Sequence, residues 1–160
     1  MEWFVRAFLK ASLSWLVLGA TLGAAMAAHP IWTIYRTAHV HMMLLGFVTM
    51  MIFGIAYHVV PRFAGHPLHS RRAAGVHWWM SNAGLACMAV GFGLRARGST
   101  PGTAILALGG TLSTIGAYLF AFLMWRTIDG PVALRSAARR ARATADGTRG
   151  GRAPLPLAGG

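Results

Sequence analysis

The chain has 160 residues, of which 56% are hydrophobic and 11% charged. Soluble domains carry roughly a quarter of charged residues, so this composition excludes an ordinary soluble domain and favours a membrane protein. The formal net charge is +12, but the basic residues lie between apolar blocks and in a C-terminal tail. That placement indicates membrane topology and contact with lipid headgroups, and we do not expect nucleic-acid binding.

Four apolar segments follow one another along the chain, at about residues 8–28, 31–60, 73–94 and 103–125. About 20 helical residues cross a bilayer core of about 30 Å, and each segment is long enough to do so. The segments lack the alternation and the shortness of barrel strands. We therefore predict an all-α fold, an integral membrane four-helix bundle, over residues 1–130.

The first segment has two interpretations. Arg6 and Lys10 precede it and the small residues Ala25-Met26-Ala27 close it, as in a cleaved secretory signal. Its apolar run is longer than a usual signal, and Gly19 and Gly23 have the spacing of a helix-packing motif. We favour a retained membrane helix, and the signal over residues 1–27 remains the alternative.

The basic residues predict the orientation in the membrane. They concentrate at the N-terminus, between the second and third segments, and after the fourth segment. By the positive-inside rule, both termini are expected on the cytoplasmic side. Residues 131–160 form a basic tail that we predict to be disordered, with a helix on anionic lipid over its Ala/Arg-rich part as the alternative.

Three histidines, His39, His41 and His77, lie well inside apolar segments. Ionisable groups are costly in a membrane interior and usually serve a function, although a neutral imidazole bonded to a neighbouring helix would also be compatible. His39 and His41 are two residues apart, which is about 200° around an α-helix. They therefore face opposite sides and cannot bind one small ion together, but each could bind a different flat cofactor. Imidazole is a common axial ligand of haem iron.

The surrounding sequence resembles a known family. Thr37-Ala38-His39-Val40-His41-Met42, followed by Gly46-Phe47 and Tyr57-His58-Val59-Val60-Pro61-Arg62, resembles the tenth helix of the large subunit of haem–copper oxidases. The cbb-type oxidases and the nitric oxide reductases are the most similar. The resemblance implies that His39 ligates a high-spin haem and that His41 ligates a low-spin haem.

The resemblance extends to the next two segments. Val76-His77-Trp78-Trp79 resembles the start of the eleventh helix of this family. Arg95 and Arg97 lie on the outer side, where the family has arginines that pair with haem propionates; anchoring at lipid headgroups is the alternative. The predicted cofactor-binding residues are therefore His39, His41, His77, Arg95 and Arg97, with His39 and His41 as the metal ligands.

The chain also departs from the family pattern. The large subunit has twelve helices in three groups of four, and this chain has one such group. It lacks the second low-spin ligand helix, the three-histidine copper site and the cross-linked tyrosine, so we do not expect it to reduce oxygen alone; whether it is an oxidoreductase stays open. Three copies could rebuild the bundle, which suggests a homotrimer in which His41 and a neighbour's histidine hold a b-type haem.

The resulting prediction is a haem b-binding protein of the bacterial inner membrane, serving electron transfer or the binding of NO or O₂. One alternative is a non-catalytic assembly or accessory protein without a cofactor. Another is a copper-handling protein, suggested by nine methionines, including the pairs Met42-Met43 and Met50-Met51. No methionine array opens to a mouth, so packing explains them better and copper is not expected.

Overall fold

The computed structural model describes residues 1–130 and 132–150, and these residues form helices joined by short turns. The helices are α1 (Trp3–Ala28), α2 (Pro30–Ala64), α3 (Arg71–Ala96), α4 (Pro101–Asp129) and α5 (Val132–Gly150). The described residues contain no strand. The predicted all-α bundle is confirmed, and each of the four apolar segments lies within one of the first four helices.

Two contacts show which helix ends meet at one end of the bundle. An ion pair of 3.2 Å joins Glu2 to Arg71, and the backbone N–H of His69 donates to the Thr127 hydroxyl at 3.2 Å. The start of α1, the start of α3 and the end of α4 therefore meet at one end, which we call the basic end. The opposite end holds the turn from α1 to α2 and the turn from α3 to α4.

Among the described residues, α1, α2 and α4 are long and apolar enough to cross a membrane, and α3 is long enough but less apolar. Helix α3 carries polar side chains that face its neighbours instead of lipid: His77 and Ser81 are buried, and Asn82 accepts a hydrogen bond from the Trp15 indole at 3.2 Å. It also contributes eight buried residues. Helix α3 is therefore the inner helix of a membrane bundle.

Glycines bring α3 and α4 close together. A Cβ atom at Gly84 would lie 2.9 Å from the backbone nitrogen of Ser113, and one at Gly91 would lie 2.7 Å from that of Leu106. Small residues that allow such backbone contact are a common basis of helix association in membranes. This contact runs most of the length of both helices, so α3 follows α4 across the membrane.

Helix α2 is not uniform. It begins as a 3₁₀-helix over Pro30–Tyr35, continues as an α-helix over Arg36–His41, and widens to a π-helix over Met42–Thr49. It returns to α-helix over Met50–Ala64. The π-helix is rare and appears mostly as single turns inside α-helices, which occur frequently at functional sites. Here the π-helix begins directly after the histidine pair.

The basic tail differs from the predicted disorder. Residues Val132–Gly150 form helix α5, which agrees with the helical alternative for the Ala/Arg-rich part. Residues 151–160, also predicted to be disordered, lie outside the described residues. Helix α1, which had the cleaved signal as its alternative, buries Phe4, Val5 and Phe8 in the core, as a member of the bundle is expected to do.

Candidate functional site

His39 faces helix α1. Its Nδ1 lies 2.9 Å from the carbonyl oxygen of Gly19. Its ring lies against Gly23, where an added Cβ would approach the imidazole Cε1 to 2.9 Å. The two glycines with helix-packing spacing therefore make room for an imidazole ring and provide it with a hydrogen-bond acceptor.

His41 faces the other way, towards α3. Its Nδ1 lies 2.9 Å from the carbonyl oxygen of Thr37, one turn earlier in the same helix, and its ring centre lies 4.7 Å from that of Phe92. The prediction that His39 and His41 point to opposite sides of α2 is confirmed. No single small ion can bind to both.

The two histidines share one arrangement of their ring nitrogens. A carbonyl oxygen can only accept, so Nδ1 carries the proton and donates to Gly19 in His39 and to Thr37 in His41. In a neutral imidazole, Nε2 then has the free lone pair. Metal-ligating histidines are typically held in this way, with the other ring nitrogen donating to a carbonyl or carboxylate. The donor set therefore fits an axial ligand of haem iron on each side of α2.

Two grooves flank α2 at the opposite end. One, of about 440 Å³, is lined by Ile34, Thr37, Phe92, Arg95 and Ala96. It includes both residues that contact His41. The Arg95 guanidinium has no hydrogen-bond or ionic partner among the residues that the structure describes. A cation is thus available in the groove nearest to His41.

The second groove, of about 510 Å³, is lined mainly by apolar residues, namely Leu22, Ile31, Trp32, Ile34, Tyr35, Ala38, Met42 and Ala89, together with Arg97. The Arg97 Nε donates to the Tyr35 hydroxyl at 2.6 Å, and its guanidinium lies 5.7 Å from the centre of the Tyr35 ring. The two predicted arginines are therefore at the same end as the histidine pair, but in different grooves.

The family comparison covers almost the whole of this bundle. The family of cytochrome c and quinol oxidase polypeptide I matches residues 4–142. The chain belongs to this family. The resemblance found from the motifs around His39 and His41 is thereby confirmed.

One relative in the family is a cbb3-type cytochrome c oxidase subunit, CcoN1, from Stutzerimonas stutzeri. This chain is 28% identical to it over an alignment of 152 residues, and the match covers 76% of this chain and 32% of the relative. The chain thus spans about a third of the length of that oxidase subunit. The predicted similarity to cbb-type oxidases has support from this match.

The third predicted residue, His77, is not part of the histidine-pair site. It lies 15 residues before Phe92 on α3, a separation of about 22 Å at 1.5 Å per residue. Its side chain is fully buried, with Nδ1 2.8 Å from the Tyr57 hydroxyl. Its ring centre lies within 6 Å of those of Phe8, Phe53 and Phe120. His77 therefore cannot share a haem with His39 or His41.

Several contacts of the site were missed by the sequence analysis. Thr37 precedes His41 by four residues, so helical spacing alone indicated its carbonyl as a partner for that imidazole. Phe92 and Tyr35 carry no comparable signal, because their contacts depend on how far α2 and α3 overlap. The role of Gly23 was also hidden, since its spacing from Gly19 equally fits contact between two helices.

Proposed function

We propose that this family member is a membrane protein that binds haem b through His39 and His41 and serves electron transfer or the binding of NO or O₂. The observation that carries the proposal is the arrangement of the two imidazoles. Each donates its Nδ1 proton to a backbone carbonyl and keeps Nε2 available, on opposite sides of one helix. In a protein of the haem–copper oxidase family, this arrangement suits two imidazoles that each ligate the iron of a separate haem.

The chain's own residues would hold and orient the cofactor. The carbonyls of Gly19 and Thr37 fix the tautomer and the ring orientation of the two ligands. Arg95 and Arg97, at the same end, would provide charge-assisted hydrogen bonds to haem carboxylates. Bound haem would supply redox-active iron. Six-coordinate iron would serve electron transfer, whereas five-coordinate iron would have a position at which a gas could bind.

His77 has a different part in this proposal. Its distance from the pair and its enclosure by aromatic rings assign it to the stability of the bundle. Its hydrogen bond to Tyr57 satisfies one ring nitrogen within the core. We therefore place the cofactor contacts at residues 39, 41, 95 and 97.

The assembly is proposed to be a homotrimer. The family's large subunit has three groups of four helices, and this chain spans 32% of its cbb3-type relative. His41 of one protomer and a histidine of its neighbour would then hold a haem between them. Light scattering of the haem-loaded protein in detergent tests this: three chains per particle are expected, and a monomer with full haem occupancy would refute it.

The location follows from family and charge. We propose the bacterial inner membrane, with the basic end and both termini in the cytoplasm. Of the Lys and Arg residues before residue 130, six are at the basic end, namely Arg6, Lys10, Arg62, Arg71, Arg72 and Arg126. Three, Arg36, Arg95 and Arg97, are at the opposite end. This asymmetry has the sign that the positive-inside rule requires.

The deciding experiment is the absorption spectrum of protein purified from cells supplied with a haem precursor. We expect a Soret band of b-type haem and a pyridine haemochrome of haem b. A spectral change on adding CO to the reduced protein would indicate an open coordination position and gas binding, and no change would indicate electron transfer. A folded but colourless protein would refute haem binding and favour the non-catalytic accessory function.

A further inference from the structure

Two residues separate helix α5 from the end of α4, and three of its arginines lie on one side. At 100° per residue, Arg135, Arg139 and Arg142 fall within an arc of about 60°. All three are exposed. Arg140, also exposed, points about 100° away from Arg139. The helix therefore has a stripe of three exposed guanidinium groups, which we call the arginine stripe.

The charge of the stripe is only partly compensated. Asp146 falls on the same side of the helix, and Arg135 lies 3.9 Å from the Asp129 carboxylate. Five further exposed arginines are at this end of the bundle, namely Arg6, Arg62, Arg71, Arg72 and Arg126, and Glu2 pairs with one of them, Arg71. The basic end thus has a surplus of positive charge that no acidic group within the described residues balances.

Between residues 135 and 147, helix α5 has no large apolar side chains with which to pack on an apolar surface. Between Arg135 and Gly147 the residues other than Arg and Asp are Ala, Ser and Thr. Its described side chains from residue 135 to 147 are exposed. Such a helix gains little from burial, so an electrostatic partner is required to hold it in place.

The position of α5 indicates that this partner is a membrane surface. Helix α4 ends at Asp129, and the exposed Trp125 and Ile128 in its last turns are typical of the membrane–water interface. Only residues 130 and 131 lie between α4 and α5, and Arg135 lies 3.9 Å from the Asp129 carboxylate. The start of α5 is therefore close to the headgroups, where a tethered site has a high effective concentration. Lipid phosphates at that level carry the charge opposite to the arginine stripe.

We infer that α5 is a surface helix that binds anionic phospholipid through Arg135, Arg139 and Arg142. The inference does not depend on haem: it rests on the charge, exposure and position of α5 alone. Because residues 135–147 carry no apolar side chain larger than alanine, attachment is expected to require anionic lipid and to weaken as salt screens the charges.

The test uses the full chain in nanodiscs of phosphatidylglycerol or of phosphatidylcholine. Cys87→Ala removes the single cysteine, and Ala138→Cys, four residues before Arg142 on the same side, takes an NBD fluorophore. We expect blue-shifted emission in phosphatidylglycerol only, reverting in 0.5 M NaCl. Replacement of the three stripe arginines by Gln should abolish the shift, and since Gln has a helix propensity close to that of Arg, α5 itself should persist.

The matched control is Arg140→Gln, compared with Arg139→Gln. Both remove one charge from adjacent positions, and we expect the Arg139 variant to lower the shift by about half and the Arg140 variant to leave most of it. Equal emission in the two lipids would overturn the inference. So would an equal effect of the two single variants, because a diffuse charge and not the stripe would then hold the helix.

Discussion

The histidine side chains have different environments towards the two ends of the bundle. At the opposite end, His39 and His41 are partly exposed, bond to backbone carbonyls through Nδ1 and have grooves with arginines nearby. Towards the basic end, His77 is fully buried, bonds to Tyr57 and is surrounded by phenylalanines. The comparison teaches that a histidine in a membrane helix is a candidate ligand only where a ring nitrogen remains accessible.

The carbonyl partners explain why the two environments differ. A backbone carbonyl can only accept a hydrogen bond, so it forces the proton onto Nδ1 and leaves a lone pair on Nε2. A tyrosine hydroxyl can donate or accept, so Tyr57 does not select a tautomer for His77. The Nε2 atom of His77 is buried without a hydrogen-bond partner among the described residues, and aromatic rings surround the imidazole.

The largest expected effect is the loss of haem from the histidine pair. We expect His41→Ala and His39→Ala each to weaken binding of the haem that the residue ligates by more than about tenfold, since a lost ligand exceeds the 10–100-fold cost of a lost supporting residue. His77→Ala should retain the Soret band. Pyridine haemochrome assays measure the haem content, and circular dichroism confirms folding.

The outcome that would contradict the comparison is haem loss in the His77 variant with the fold intact. His58→Ala provides a further control, because His58 contacts Arg62 at the basic end and lies about 26 Å along α2 from His41. Loss of only one of two haems in each variant would show that the two ligands serve separate cofactors.

A second prediction concerns the glycine under His39. Gly23→Val places a side chain where the imidazole lies, since even a Cβ would come within 2.9 Å of Cε1. Displacement of this supporting contact should weaken haem binding by about tenfold. Gly110→Val is the matched control: Gly110 is also within a membrane helix, and nothing lies within 4 Å of an added Cβ. Haem titration measures the affinity of both variants, and equal affinities would show that His39 is not part of the haem site.

A third prediction concerns the buried hydrogen bond between Tyr57 and His77, towards the basic end. Tyr57→Phe deletes the hydroxyl 2.8 Å from His77 Nδ1 and leaves a buried polar atom without its partner. We expect the free energy of unfolding to fall by about 1–3 kcal/mol with no change in the Soret band. Tyr118→Phe, at a residue that is 73% exposed, should have almost no effect. Denaturant unfolding in detergent measures both, and a shifted Soret band in the Tyr57 variant would connect the two ends.

The helices and the histidine pair were predictable because each depends on local spacing. Apolar segments of about 20 residues determine the spans, and two residues of helical rotation determine the opposite orientations of His39 and His41. The helix in the basic tail was only the alternative to disorder, because a strongly charged Ala/Arg sequence has few large apolar side chains to bury. Its arginine spacing nevertheless contained the stripe found on α5.

Contacts that depend on the packing of distant segments were not predictable. His77 was predicted as a cofactor contact from its apolar segment and from the resemblance of Val76-His77-Trp78-Trp79 to a family motif, neither of which shows that it lies about 22 Å along α3 from the level of His41. Arg95 and Arg97 were treated as a pair because only one residue separates them, whereas the end of α3 and the following turn direct them into different grooves. The π-helix over Met42–Thr49 has no pattern in the sequence that would have indicated it.

The separation of the two arginines leads to the smallest predicted effect. Arg95 lies in the groove beside His41 and has no partner among the described residues, whereas Arg97 already donates to Tyr35. Because Arg95 is exposed, its ion pair with a haem carboxylate should contribute no more than about 1 kcal/mol. Arg95→Gln is therefore expected to weaken haem retention by about two- to fivefold, and Arg97→Gln by less. Haem transfer to apomyoglobin measures the rate of haem loss from both variants. A larger effect at Arg97 would indicate that the cofactor binds in the groove lined by Tyr35.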